Sequence, residues 1–414
     1  MVSITALGGF SEIGKMGILL DTDKARFVFD YGLDVKTMEG PLPVGDIDGI
    51  MLSHAHLDHC GMIPLLYHRG FRGKTFLTPA TGDLAELLLI DSLKVQDRRG
   101  LTPQFLRHDI DQLLHSYTQL HYEKSMNVPH GKLTLFDAGH IPGSSATLLE
   151  TEDRRIMYTG DIKFSETGLL AGAAIPKTDL DILITEATYS YKNHPPREQL
   201  GNELREYVTD IIAKGGIALI PCFAVGRTQE LLLQLDRLQI PVTIDGMGIT
   251  ASRIIMDHPE AIKDRKHLRK AFSRARIIEE PRQRRHALRE PGVILSTSGM
   301  MQGGPSHYYM KHLHKHEKNA VILNGFQVEA TPGHVLLETG RYVNEGIDVK
   351  PKCDVQFMDF SAHCDRAELL AFFERMRPKK IIVGHSANAE GFAAELQKDG
   401  YNATSLKDGS TITV

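Results

Sequence analysis

His54-Ala55-His56-Leu57-Asp58-His59 follows the apolar run Ile50-Met51-Leu52 and sets three imidazoles and a carboxylate within six residues. Imidazole and carboxylate together are ligands of first-row metals, and they suit zinc. A run this polar reads as neither a helix face nor a buried strand, because its side chains would lack partners there. It reads as a strand running out into a loop, with His54 and His56 on one side and Asp58 and His59 turned toward a neighbouring position. That supplies ligands for two metal ions, and a two-metal site implies hydrolysis of a phosphoester or an amide.

Further acids and histidines stand at strand ends on both sides of this stretch. Asp30 ends Arg26-Phe27-Val28-Phe29, His140 sits in Asp137-Ala138-Gly139-His140-Ile141-Pro142-Gly143-Ser144, and Asp161 closes Tyr158-Thr159-Gly160-Asp161. Glu186 follows Ile182-Leu183-Ile184-Thr185, and His363 and His385 lie near the last strands. The runs between them have strand length or helical period. Helical periodicity is expected at residues 84–95 and 103–120. From residue 197 onward, helices alternate with short apolar strands, the pattern of a parallel α/β unit. The economical reading is one α/β domain inserted in another: residues 1–190 and 346–414 form the host, a sandwich of two sheets covered by helices, and residues 191–345 form the insert.

The 414 residues suffice for two compact cores, and 42% hydrophobic with 24% charged residues is ordinary for a globular protein. No apolar run approaches the roughly 20 residues that span a bilayer. Residues 1–9 lack the regions of a signal peptide, so a cytoplasmic protein is expected. Cys60, Cys222, Cys353 and Cys364 show no CxxC spacing, which argues against a disulfide framework or a separate cysteine zinc site. A net charge of −4 argues against a protein that coats nucleic acid through bulk charge, yet Lys263 to Arg289 holds eleven Lys or Arg. That stretch fits attraction to a phosphate backbone, or else a solvated helical face.

The series Asp30, His54-x-His56-x-Asp58-His59, His140 and Asp161 resembles the first four motifs of the metallo-β-lactamase superfamily. Glu186, His363 and His385 resemble motifs A, B and C of its β-CASP nucleases. The segments Pro221 to Arg227, Ser298 to Gly304 and Gly325 to Glu329 are similar to those of the cleavage-and-polyadenylation and ribonuclease J-like members, among them prokaryotic ones without KH domains. This resemblance implies an αββα sandwich with an inserted parallel α/β β-CASP domain. It implies two zinc ions per chain, one held by His54, His56, His140 and Asp161, the other by Asp58, His59, Asp161 and His385. Asp58 would orient a hydroxide activated by the two ions or accept its proton. His363, paired with Glu186, would protonate the leaving 3′ oxygen, and Asp30 would fix a ligating imidazole from behind. Ser298, Gly299, Gly303, Gly304 and Arg227 would contact RNA. The implied activity is cleavage of single-stranded RNA, internally or 5′ to 3′, leaving a 3′ hydroxyl and a 5′ phosphate. Implied partners are a second copy of the chain and an RNA-processing or decay complex, with no membrane. A DNA nuclease of the same branch and a non-catalytic scaffold subunit are the alternatives. A histidine at 385 resembles the RNA-cleaving members, and every expected ligand type is present. In relatives the motif C order is His-Gly, whereas here it is Gly384-His385-Ser386.

Overall fold

The computed structural model describes residues 2–414, which divide into two compact units. The first runs to Glu166, resumes over Gly172–Asn193 and closes with His363–Val414; the second comprises Thr167–Ala171 and His194–Ala362.

The first unit contains two seven-stranded sheets. One has the order Thr411–Thr413, Ser3–Gly8, Gly17–Asp21, Arg26–Tyr31, Gly49–Met51, Lys74–Leu77, Thr118–Gln119. The other has the order Ala403–Ser405, Lys380–Gly384, Ile182–Glu186, Arg155–Tyr158, Ser145–Glu150, Gly131–Asp137, Ser125–Val128. The two-residue period of the strands divides their apolar side chains between faces. Ile182 and Ile184 belong to the core shared by the two sheets, with Phe29, Leu135 and Leu149. Leu183, between them, joins Leu369 and Phe373 of the helix Arg366–Met376 on the outer face. Both faces of this sheet are thus buried, which is why its strands read as continuous apolar runs. Phe29 is fully buried and meets Tyr158 edge to face at 5.7 Å, so Phe29→Ala would cost about 3–5 kcal/mol and loosen the wall of the site.

The second unit is built on a six-stranded parallel sheet, in the order Arg276–Ile278, Val242–Asp245, Gly292–Ser296, Ile217–Pro221, Ala320–Leu323, Asp354–Phe357. Leu219, Ile294, Val321 and Leu323 form its core with Tyr309, Met310 and Leu336. The strand Asp354–Phe357 pairs in parallel with Ala320–Leu323, so it belongs to this sheet, and the unit extends to Ala362. The sequence reading closed the insert at 345 and gave this strand to the host. No helix among the described residues is long and apolar enough to cross a membrane.

Candidate metal centre

Within each sheet of the first unit, co-directed strands end at one edge, and the candidate ligands stand at or just past those ends. In one sheet Arg26–Tyr31 and Gly49–Met51 run parallel and deliver Asp30 and the His54 to His59 stretch. In the other, Arg155–Tyr158, Ile182–Glu186 and Lys380–Gly384 are parallel neighbours that deliver Asp161, Glu186 and His385. Gly131–Asp137 is antiparallel to Ser145–Glu150, which is antiparallel to Arg155–Tyr158. It therefore points the same way and delivers His140.

The opening motif is not extended throughout. Leu57–Cys60 forms a helical turn, closed by the Gly61 N–H donating to Leu57 O. The pattern alone predicts a loop there, because a buried histidine on a helix needs partners. His59 has one: its Nδ1 lies 2.7 Å from Asp30 Oδ2. Asp30 is fully buried and also accepts from Ser53 N at 2.7 Å, Ser53 Oγ at 2.6 Å and Tyr158 OH at 2.7 Å. A carboxylate only accepts, so Nδ1 of His59 carries the proton and Nε2 is left for the centre. Ser53 and Tyr158 are parts of the site that sequence reasoning did not single out. Their only signal is position, one directly before the histidine motif and the other three residues before Asp161.

Asp161 stands at the middle. Its Oδ2 lies 3.6 Å from His54 Nε2, 3.4 Å from His59 Nε2 and 3.6 Å from His140 Nε2, and its Oδ1 lies 3.1 Å from His385 Nδ1. His56 Nδ1 is 3.1 Å from His140 Nε2, and Asp58 Oδ2 is 3.6 Å from His385 Nε2. Donor atoms of His54, His56, His140 and Asp161 all lie within 4.8 Å of one another, as do those of Asp58, His59 and His385. Two small glycine surfaces permit this closeness. Gly160, at φ +55°, would place a Cβ 2.6 Å from Ser53 Cβ, and Gly384 would place one 2.8 Å from Phe10 Cδ1. The Gly-His order at 384–385 therefore lets the strand pack on Phe10 while His385 reaches both Asp58 and Asp161.

These residues fit metal ions. His54 Nε2, His59 Nε2, Asp161 Oδ1 and both ring nitrogens of His385 are buried and make no hydrogen bond among the described residues. Buried polar atoms left so are costly unless a cation takes them up. Burial holds His56 down at about 4 and His54 well below the usual histidine range, so both present neutral lone pairs. Burial also pulls on His385, but Asp161 and Asp58 outweigh it and push it up to about 10, so the carboxylates favour positive charge there. Asp58 and Asp161 are held below the ordinary carboxylate range, because surrounding histidine charge outweighs the opposing effect of burial.

His363 lies beside the ligands, with Nδ1 2.9 Å from Glu186 Oε2 and 3.1 Å from Oε1. Burial lowers its pKa, yet the Glu186 and Asp161 carboxylates prevail and raise it above the ordinary value. Glu186 Oε1 also accepts from Ile162 N at 2.7 Å, which fixes the carboxylate.

Beside the centre, Ser144 Oγ accepts from the N–H groups of His140 and Ile141 and so shapes the turn that carries His140. The other candidates lie elsewhere. Arg227, Ser298, Gly299, Gly303 and Gly304 belong to the second unit. Arg227 begins a helix after Gly226, and Ser298 Oγ accepts from Gln302 N in the loop before the helix Gly304–Leu313. His312 bonds to Tyr308 O of its own helix, and His312, His314 and His316 form no ligand cluster among the described residues. Within the basic stretch Arg274, Arg276, Arg282 and Arg284 pair with Asp236, Glu290, Glu280 and Asp245. Lys266, Arg269, Lys270, Arg285 and Arg289 are exposed and without such pairs among the described residues.

Two layered sheets under helices, with this donor set at their strand ends, define a metal-dependent hydrolase. Family models agree: a metallo-beta-lactamase superfamily domain matches residues 11–187, a Beta-Casp domain residues 228–336, and a Zn-dependent metallo-hydrolase RNA specificity domain residues 348–405. The chain is 32% identical to a "Probable RNase MJ4" of Methanocaldococcus jannaschii, over 98% of its own length and 99% of that protein's. It is 31% identical to "RNase aCSPSF2" of Saccharolobus solfataricus, covering 99% of this chain and 84% of the relative. It is 33% identical to "Transcription termination factor FttA" of Thermococcus kodakarensis, of which it spans 66%. A crystal structure of a protein of unknown function from Enterococcus faecalis shares the fold across the whole of both chains, with a TM-score of 0.65 at 15% identity. The chain belongs to the β-CASP ribonuclease branch of the metallo-β-lactamase superfamily.

Proposed function

We propose that this chain is a zinc-dependent ribonuclease of the cytoplasm. It would hold two zinc ions and hydrolyse phosphodiester bonds of single-stranded RNA, leaving a 3′ hydroxyl and a 5′ phosphate. The observation that carries this reading is Asp161, whose two oxygens touch both groups of donors: His54, His59 and His140 through Oδ2, and His385 through Oδ1. When bound, two ions would supply Lewis acidity toward phosphate oxygens and lower the pKa of a water to about 7. The RNA-specificity model over residues 348–405 and the ribonuclease names of two relatives support RNA as the substrate.

The chain's own residues have distinct tasks in this reading. His54, His56 and His140 with Asp161 form one ligand set; Asp58, His59 and His385 with Asp161 form the other. Asp58, its side chain 24% exposed, is the carboxylate of the set open to solvent, and it orients the attacking water or takes its proton. His363 holds a proton on Nδ1 against Glu186 and presents Nε2 as the donor to the leaving 3′ oxygen. Asp30 keeps His59 in the tautomer that ligates through Nε2.

The test is digestion of 5′- and 3′-labelled single-stranded RNA, and of DNA of the same sequence, by wild type and His363→Ala. Ladders from the 3′ label mark internal cutting, and early release of a labelled 5′ mononucleotide marks trimming. The variant should lose roughly 10²–10⁴-fold in rate while keeping its zinc. Equal rates for wild type and variant would remove His363 from the chemistry, and preferential cutting of DNA would overturn the substrate.

A further inference from the structure

The outer helices of the first unit carry a second convergence of metal ligands, away from the set at the strand ends. His68 is the last residue of the helix Ile63–His68; His108 and Asp109 lie in the first turn of the helix Arg107–Ser116, which packs against it. Asp109 is buried, and its two oxygens face the two imidazoles. Oδ2 lies 3.0 Å from His68 Nδ1, and Oδ1 lies 3.0 Å from His108 Nε2. Both rings are exposed, at 46% and 59% of the side chain. Donor atoms of all three residues lie within 4.8 Å of one another.

We propose that His68, His108 and Asp109 form a third zinc site, structural in role and open to solvent at its remaining position. The donor set is two imidazoles and one carboxylate, which suits zinc and not magnesium or calcium, whose sites are built from oxygen. Bonds of about 2.0–2.2 Å in a tetrahedron separate ligand atoms by about 3.3–3.5 Å. The carboxylate contacts are already near that span, and the exposed rings are free to turn through the remainder. Asp109 is held ready, because Oδ2 also accepts from Leu106 N at 2.7 Å as part of the helix start. Its Oδ1 pairs with His108 Nε2, a contact that an ion between the two atoms would replace. An ion there would tie together two helices whose ligands are about forty positions apart in the chain, and stabilise their packing by linkage. With three ligands and open access, this site would be weaker than the central pair. It does not depend on the substrate proposed above.

The full chain, stripped with a chelator, is titrated with zinc, and bound zinc is counted by elemental analysis after rapid desalting. Wild type should show a weaker third step beyond the central ions. His108→Ala and His68→Gln, both at exposed positions, should each lose that step by about ten-fold or more in affinity. Both should cleave RNA as wild type does. His140→Ala, which strikes the central set, should lose central zinc and keep the third step, so failure of the ribonuclease reading and failure of this site are separable. With cobalt in place of zinc, the visible absorption that grows at the third step should be missing from His108→Ala. A wild type with no third step, a step seen only at adventitious millimolar zinc, or a step retained in both variants would overturn the site.

Discussion

Asp30→Asn isolates what a residue that touches no metal contributes to the centre. The carboxylate gathers four donors: Ser53 N and Oγ, Tyr158 OH and His59 Nδ1. An amide has one acceptor oxygen. If that oxygen takes the Oδ2 position, it keeps three donors, and the NH2 group then opposes the Ser53 N–H. If it is flipped, the NH2 group opposes Ser53 Oγ, Tyr158 OH and His59 Nδ1. The first arrangement costs one buried hydrogen bond, about 1–3 kcal/mol of stability. It also replaces a charged acceptor for His59 by a neutral one, which weakens the hold on the ligating tautomer. Loss of such a partner typically lowers metal affinity about 10–100-fold, or about 1.4–2.8 kcal/mol. The assay is competition for zinc against a chelator of known affinity, with RNA cleavage measured at limiting and at saturating zinc. On the two-ion reading, affinity for one of the ions should fall by that factor, and the rate should recover at saturating zinc. Unchanged affinity for both ions would refute the role given to Asp30, and a rate that stays low at full occupancy would place Asp30 in the chemistry instead.

Other outcomes follow from geometry and charge. Asp137 is pushed up to about 6 by burial, against an ordinary 3.8, with one backbone N–H from Gly139 opposing the rise. A carboxyl raised on folding stabilises the fold fully below its unfolded pKa and loses that contribution as pH climbs through 6. Asp137→Asn should therefore match wild type near pH 4 and exceed it by about 2–3 kcal/mol above pH 6.5, read by denaturant melts across pH; parallel curves would contradict the shift. Reversing Lys266, Arg269 and Lys270 to Glu should lower the slope of log affinity for RNA against log salt by about 2, while cleavage of a short oligonucleotide is unchanged. An unaltered slope would make this helix a solvated face only. Tyr191 is 58% exposed and stacks at 24° on Tyr189, whose ring is 6.0 Å from His363. Tyr191→Ala should raise KM for RNA about ten-fold with kcat nearly constant, the loss expected of one stacked base; a fall in kcat alone would argue against stacking.

Much of the site was legible because its chemistry is concentrated at strand ends. Short apolar runs each closed by Asp, Glu or His are a local pattern, and the structure brings those endings together because co-directed strands share an edge. What was not legible depends on distant partners. Nothing near Ser53 or Tyr158 announces that both will serve Asp30. The helical turn at Leu57–Cys60 is acceptable only because His59 finds Asp30, 29 residues away in sequence. Helical period extended the reading over 103–120, whereas the helix spans Arg107–Ser116, and Thr118–Gln119 pairs with the strand Lys74–Leu77 instead. The strand Asp354–Phe357 was placed with the host because a lone apolar run does not state which sheet edge will accept it.

The strand Lys380–Gly384 lies between Ile182–Glu186 and Ala403–Ser405, and His385 follows it. Translation therefore supplies this ligand only after the whole insert. While the insert is being made, the emerging polypeptide already carries His54, His56, His140 and Asp161, but neither His363 nor His385. Under the reading proposed here, such a chain has one set of metal donors and no proton donor for the leaving group. On that reading a nascent chain still short of Lys380–Gly384 is an incomplete nuclease, and the centre closes only when that strand takes its place between Ile182–Glu186 and Ala403–Ser405.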